Sequence, residues 1–159
     1  MTRRAAVIVC STRAAAGVYD DLTGPVIVDW LLRRGFDTGA PIVVADGPDV
    51  AASLRAVVDA GVDVLVTTGG TGIAPSDSTA DATSALLDLD LPGFQEELRR
   101  RGGAHTPFAL MSRGVAGIAG RTFVVNLPGS TGGVRDGLQL LGEVVDHVLD
   151  QLAGGHHDG

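Results

Sequence analysis

A chain of 159 residues with 45% apolar and only 4% aromatic residues fits one domain with a core of valine, leucine, isoleucine and alanine. Its formal charge of −7 and pI near 4.8 argue against nucleic acid or an anionic membrane as partner, since both select a basic surface. All 12 basic residues are arginine and Cys10 is the sole cysteine, which excludes lysine chemistry, an intramolecular disulfide and a cysteine zinc site.

No apolar run approaches membrane-spanning length, and a reducing cytoplasm is the expected setting. The first element is a fully apolar strand running from Arg4 to Cys10, the type found at the centre of a parallel sheet. It leads into Ser11, Thr12 and Arg13. Taken alone, Arg13 reads as a solvent-facing side chain, with phosphate binding as the alternative. A loop from Gly17 to Asp21 follows, and Gly24-Pro25 then opens an apolar helix through Val28, Leu31 and Leu32 that stops at Gly35. Pro41 to Asp46 is the second strand, with Asp46 at its carboxyl end. The next helix carries Val50, Leu54, Val57 and Val58 on one stripe and closes at Gly61.

Val62 to Val66 form the third strand, and the chain then turns through Thr67-Thr68-Gly69-Gly70-Thr71-Gly72. Glycines at 69, 70 and 72 allow positive φ and bring backbone N–H groups against an anion without a Cβ in the way. This predicts a phosphate cradle at a strand end. Asp77 follows among the hydroxyls of Ser76, Ser78 and Thr79, and a carboxylate beside a phosphate suggests a divalent metal between them. The plain alternatives are a turn carboxylate at Asp46 and a helix N-cap at Asp77 or Ser78. The loop is neither a Walker loop, since no Gly-Lys-Ser/Thr follows, nor the dinucleotide fingerprint, since Pro75 stands where a third glycine is required. In an open parallel sheet ligands gather at the carboxyl ends of strands, so Asp46 and the Gly69–Asp77 loop are expected to share one rim.

Residues 78 to 103 read as two helices broken at Leu91-Pro92-Gly93, with Arg99-Arg100-Arg101 a solvated helix end. Phe108 to Met111 is a short strand or helix ahead of Ser112-Arg113-Gly114, and His105 is isolated. Thr122 to Asn126 is another buried strand, turned by Leu127-Pro128-Gly129-Ser130 into a final helix. Val134, Leu138, Leu141, Val145, Val148 and Leu152 mark that helix at four-three-four-three-four spacing. The whole predicts a three-layer α/β/α sandwich with a mostly parallel central sheet, one domain over 1–153 and a disordered tail over 154–159.

Thr67-Thr-Gly-Gly-Thr-Gly-Ile-Ala-Pro-Ser-Asp-Ser-Thr79 resembles the motif of the molybdopterin adenylyltransferases, the MogA/MoaB-type proteins related to the gephyrin G domain. Ser11-Thr-Arg13, Gly17-Val-Tyr-Asp-Asp21, Val44-Ala-Asp46, Pro92-Gly93, Ser112-Arg-Gly114 and Asn126-Leu-Pro-Gly-Ser130 agree in the same order, so the resemblance covers nearly the whole chain. It implies a homotrimer and a reaction in which the terminal phosphate of molybdopterin attacks the α-phosphorus of ATP. It also implies that Asp46 and Asp77 are catalytic and hold Mg²⁺. The same resemblance places Ser11, Arg13, Asp21, Thr68, Gly69, Gly70, Thr71, Gly72, Ser112, Arg113, Asn126, Pro128, Gly129 and Ser130 around the two substrates, and a molybdate-inserting protein downstream. Thr12 stands where aspartate is frequent in the family, Leu22 where some members have lysine, and Ser76 where an arginine commonly precedes the second aspartate. A non-catalytic molybdopterin carrier on the same fold is the alternative reading.

Overall fold

The computed structural model describes residues 2–17 and 21–155. Tyr19 and Asp20 of the first loop, and residues 156–159 of the expected tail, lie outside the described residues. In chain order the elements are β1 (Ala5–Cys10), α1 (Thr12–Ala15), α2 (Gly24–Arg33), β2 (Ile42–Val44), α3 (Pro48–Asp59), β3 (Val64–Thr68), α4 (Thr79–Leu86), β4 (Leu89–Asp90), α5 (Pro92–Gly103), a 3₁₀ helix (Pro107–Met111), β5 (Ala116–Ala119), β6 (Thr122–Leu127) and α6 (Thr131–Leu152).

Alternation along each strand explains the layers, because successive side chains point to opposite faces. Ala5, Val7 and Val9 of β1 pack with Ile27 and Leu31 of α2, Phe94 and Leu98 of α5, and the stripe Val134, Leu138, Leu141 and Val145 of α6. Ile8 and Cys10 point the other way, into Val50, Leu54 and Val57 of α3. The sheet between these layers has the order β2-β1-β3-β6-β5-β4. β2, β1, β3 and β6 pair in parallel, while β5 pairs antiparallel with both β6 and the edge strand β4, so that β5 alone is reversed. The three-layer sandwich with a mostly parallel sheet is therefore as the sequence predicts.

The sequence reading misses the antiparallel edge. Where two helices interrupted at Leu91–Gly93 are expected, Leu89 and Asp90 form a strand against Ile118 and Gly117 of β5 before α5 begins. The Phe108 segment resolves into the 3₁₀ helix, capped by Thr106, whose hydroxyl accepts from Phe108 N. At the other end the register places the strand termini level: Cys10 pairs with Val44, Val9 with Thr68, and Thr68 with Leu127. The four parallel strands thus deliver Ser11, the Asp46 loop, the glycine loop and Pro128–Ser130 to one rim.

Candidate functional site

Two pockets open on this rim, one on each side of the glycine loop. The larger, about 690 Å³, is lined by Ser11, Arg13, Asp21, Asp46, Thr68, Gly69, Gly70, Asp77 and Gly129 of the predicted set. The second, about 450 Å³, takes Thr71, Gly72, Ser112, Pro128 and Ser130 of that set. Gly69 and Gly70 face one pocket and Thr71 and Gly72 the other, so the loop is their common wall.

The loop is held by the protein on all sides. Gly69 (φ 89°) and Gly70 (φ 67°) take the left-handed conformation that the sequence reading asks of this turn, whereas Gly72 has no positive φ. Gly69 N donates to Leu127 O (3.1 Å), Thr79 N to Gly70 O (3.1 Å) and Arg113 N to Thr71 O (2.8 Å). The N–H groups of Gly70, Thr71 and Gly72 have no acceptor among the described residues. These are the donors an anion cradle needs. The reason for the glycines is more local than a clear approach for the anion, however. A Cβ on Gly70 would meet the Thr79 hydroxyl, and one on Gly72 would come within 2.7 Å of Asp77 Oδ2, so both glycines make room for the protein's own side chains.

Asp46 and Asp77 reach the larger pocket from different loops. The Asp46 carboxylate is held by Thr12, whose Oγ1 donates to Oδ2 (3.1 Å) while accepting from Asp46 N (3.1 Å). Asp77 Oδ2 accepts from Ala74 N (3.1 Å), a local turn that aims the carboxylate, and its backbone N donates to Ala74 O (2.9 Å). The N-cap of α4 is Ser78, with no side-chain cap bond, because its Oγ accepts from Gly47 N (3.1 Å) and ties the two aspartate loops together. Asp21 turns inward to accept from Gly24 N (2.9 Å) at the start of α2. Beneath them Cys10 is buried; burial pushes its thiol up to about 11, the Thr79 hydroxyl acting against that rise and the Asp46 carboxylate with it.

The donor set suits Mg²⁺. The larger pocket carries one guanidinium, Arg13, against the carboxylates of Asp21, Asp46 and Asp77, a charge balance that repels a bare polyphosphate and accepts one neutralised by a cation. Asp46 Oδ1 is buried without a partner among the described residues. Mg²⁺ is characteristically bound through one or two carboxylates with substrate phosphates and waters completing the shell. No group of three or more His, Cys, Asp or Glu side chains fit for a metal occurs among the described residues.

Two predicted ligands line neither pocket. Asn126 is fully buried: Nδ2 donates to Thr67 Oγ1 (2.9 Å) and Thr83 Oγ1 (3.1 Å), and Oδ1 accepts from Val115 N (3.1 Å). Its amide clamps β6 to β3, α4 and the segment just before β5, so its polar atoms are taken up within the fold. Arg113 braces the loop from behind, donating from Nε to Gly72 O (2.8 Å) and from Nη2 to Asp77 O (3.3 Å), with Asp81 as ion-pair partner at 3.1 Å.

The sequence reading also misses much of the second pocket. Gln95, Leu98, Arg99, His105, Phe108 and Met111 complete its wall. Arg99 is no solvated helix end: its Nη1 donates to Ser112 O (3.2 Å). Arg100 is exposed on Glu97 (2.7 Å), whereas Arg101 is half-buried between Glu97 (2.9 Å) and Glu143 of α6 (2.8 Å), and the hydrogen bonds of both arginines hold the Glu97 carboxyl down at about 2. The signal for Gln95 and Arg99 lies in the helix period, since both flank buried Leu98 on α5 at spacings of three and one.

Residues 6–147 match the family described as a probable molybdopterin binding domain. Among curated relatives, a molybdopterin adenylyltransferase of Escherichia coli K12 is 33% identical over 152 residues, covering 93% of this chain and 78% of its own. One from Helicobacter pylori J99 is 34% identical over 154 residues, covering 94% and 88%. A molybdenum cofactor biosynthesis bifunctional protein of Chlorobaculum tepidum is 36% identical over 155 residues, 97% of this chain but 50% of its own, so the chain spans about half the length of that relative. Of solved structures, the Mog protein from Mycobacterium ulcerans superposes with a TM-score of 0.92 at 51% identity, covering 97% of this chain and 99% of that one. MoaB from Thermus thermophilus gives 0.87 at 39%, covering 96% and 98%. No helix among the described residues is long and apolar enough to cross a membrane. With its matched residues running from β1 into α6, the chain belongs to the MogA/MoaB-type molybdopterin-binding family, that of the molybdopterin adenylyltransferases.

Proposed function

We propose that this chain adenylylates molybdopterin within molybdenum cofactor biosynthesis, using ATP and releasing pyrophosphate. The observation that carries the proposal is the meeting of Asp46 and Asp77 with Arg13 and the glycine loop in one pocket, from three separate strand ends. The larger pocket takes the nucleotide, with its triphosphate between the two aspartates and the loop. The second, walled by Leu98, Phe108 and Met111, takes the flat pterin. The phosphate groups of both substrates then meet at the shared wall, where the N–H groups of Gly70, Thr71 and Gly72 are available.

An oxygen of the molybdopterin phosphate attacks the α-phosphorus of ATP. A new P–O bond forms, the bond from the α-phosphorus to the α,β-bridging oxygen breaks, and its electron pair leaves with pyrophosphate. The nucleophile is already an anion, so no general base is needed and catalysis rests on positioning and charge neutralisation. Asp46 and Asp77 would hold Mg²⁺, which supplies charge neutralisation at the triphosphate. Arg13 adds one fixed cation. Thr12 and Ala74 N orient the two carboxylates.

The test is pyrophosphate release from purified protein given molybdopterin, ATP and Mg²⁺. Release in proportion to adenylyl-molybdopterin supports the enzyme, and binding of molybdopterin without release makes the chain a carrier. A homotrimer in the cytoplasm, feeding a molybdate-inserting protein, belongs to the same proposal. A monomer by light scattering at micromolar concentration would remove the trimer from it.

A further inference from the structure

Helix α5 presents two polar side chains to the second pocket, Gln95 and Arg99, and each is fixed at one end and unpaired at the other. Gln95 is only 3% exposed. Its Nε2 donates to Val115 O (3.1 Å) and Asn126 O (2.8 Å), which uses both protons of the amide. Those two partners settle which end is nitrogen, since the reverse placement would set oxygen against two carbonyls. Oε1 then accepts from no donor among the described residues, yet it is not shut away from solvent as Asp46 Oδ1 and Thr79 Oγ1 are. The bare Cα of Gly114 leaves it room, because a Cβ there would lie 3.2 Å from it. With Gln95 in the pocket wall, the opening left to Oε1 is the pocket.

Arg99 lies one helical turn further on, so the two side chains are neighbours on one face of α5. Its Nη1 donates to Ser112 O (3.2 Å), while its other N–H groups find no acceptor, and its charge no carboxylate, among the described residues. A half-buried guanidinium with free donors thus stands beside an amide oxygen that only accepts, and the protein's own backbone holds both in place. The pyrimidine ring of a pterin carries the complement along one edge: an amino group that donates and a carbonyl that accepts. We propose that Gln95 and Arg99 are specificity-determining residues for the pterin, Oε1 accepting from its amino group and the guanidinium donating to its carbonyl, while Leu98, Phe108 and Met111 cover the ring face. The apolar wall alone would take any flat ring of the right size; this pair selects among them. The inference rests on the second pocket being the pterin's, as proposed above.

The test is equilibrium displacement of molybdopterin by three flat rings: pterin, lumazine, in which an oxygen replaces the amino group, and 2,4-diaminopteridine, in which an amine replaces the carbonyl. Wild type should prefer pterin to each of the others by about 10–100-fold, the effect of leaving a buried polar group against the wrong partner. Gln95→Met, similar in size and without hydrogen-bonding groups, should erase the preference over lumazine and keep that over the diamine. Arg99→Met should do the reverse. A residue that only supports the fold would weaken all three rings alike. Wild type that binds molybdopterin but takes the three rings equally, or displaces it with none of them, overturns the inference and leaves the proposed function standing. So does a variant that keeps the preference assigned to it. Arg99→Met that loses molybdopterin and leaves the rings in order gives the guanidinium to the phosphate, and overturns it as well. Should Gln95→Met fail to fold, the wild-type series and Arg99→Met decide by the same outcomes. Wild type that binds no molybdopterin removes the proposed function and the inference with it.

Discussion

The two pockets that share the glycine loop are built from different parts of the fold. The aspartate pocket lies at the ends of parallel strands, where short loops present Asp21, Asp46 and Asp77 and a single Arg13. The second pocket lies toward α5 and the 3₁₀ helix, where Leu98, Phe108 and Met111 supply an apolar wall. Strand ends hold charge in fixed positions, and helix flanks offer flat apolar surface. On the proposed function, the first pocket handles the charge of the phosphoryl transfer and the second takes the flat face of the pterin.

The comparison is broken most severely by removing charge from the first pocket alone. Asp46→Asn or Asp77→Asn keeps shape and hydrogen bonding, so molybdopterin binding should survive while pyrophosphate release falls by about 10²–10³, the scale of losing one key electrostatic contact. A variant with near-normal release would make its aspartate a turn residue. Asn126→Ala addresses the frame between the pockets. Its amide satisfies Thr67, Thr83 and Val115, and each buried partner left unpaired costs about 1–3 kcal/mol. The variant should therefore unfold at clearly lower urea, and the fraction that stays folded should bind molybdopterin as wild type does.

Phe108→Ala sharpens the other side. Its ring is 80% exposed at the mouth of the second pocket, and if it stacks on the pterin its removal should weaken molybdopterin by about 0.5–1.5 kcal/mol. Nucleotide affinity should not move, as titration calorimetry with each ligand would show. The smallest effect near neutral pH concerns Cys10 on the floor. Its thiol ordinarily ionises at 9.0 and does so at about 11 when folded, so the buried neutral form contributes stability that is complete below pH 9.0 and lost as pH rises toward 11. Urea midpoints should fall over that window in wild type and less so in Cys10→Ala.

The parallel half of the molecule is legible in the sequence because its signals are local. The apolar run before Thr67, the glycines that follow and the aspartate ending the second strand each mark their own place, and level strand ends bring them together. The antiparallel edge is not legible in that way. Ala116–Ala119 is small and glycine-interrupted, and Leu89–Asp90 is a strand only because Ile118 and Gly117 pair with it. Asn126 misleads for a related reason. Its neighbours Pro128 and Gly129 do line the pockets, but its partners Thr67, Thr83 and Val115 come from elsewhere in the chain. Strand parity could have caught it, since Val124, two residues earlier, faces the core under α3.

The three departures from the family pattern, Thr12, Leu22 and Ser76, all line the aspartate pocket. Leu22 stands where some members of the family have a lysine and Ser76 where an arginine is common, and Thr12 stands in for an acid and grips Asp46 instead. Losing two bases against one acid leaves the pocket one unit more negative than the family pattern would, which makes it more dependent on the cation brought by the nucleotide.

The most direct measurement is a crystal structure with α,β-methylene-ATP, Mg²⁺ and molybdopterin, in which the bond to be broken cannot break. The account predicts the triphosphate and a metal beside Asp46 and Asp77, the pterin against Phe108, and the two sets of phosphates meeting at Gly70–Gly72. A nucleotide seated in the second pocket, or a triphosphate whose metal touches neither aspartate, would contradict it.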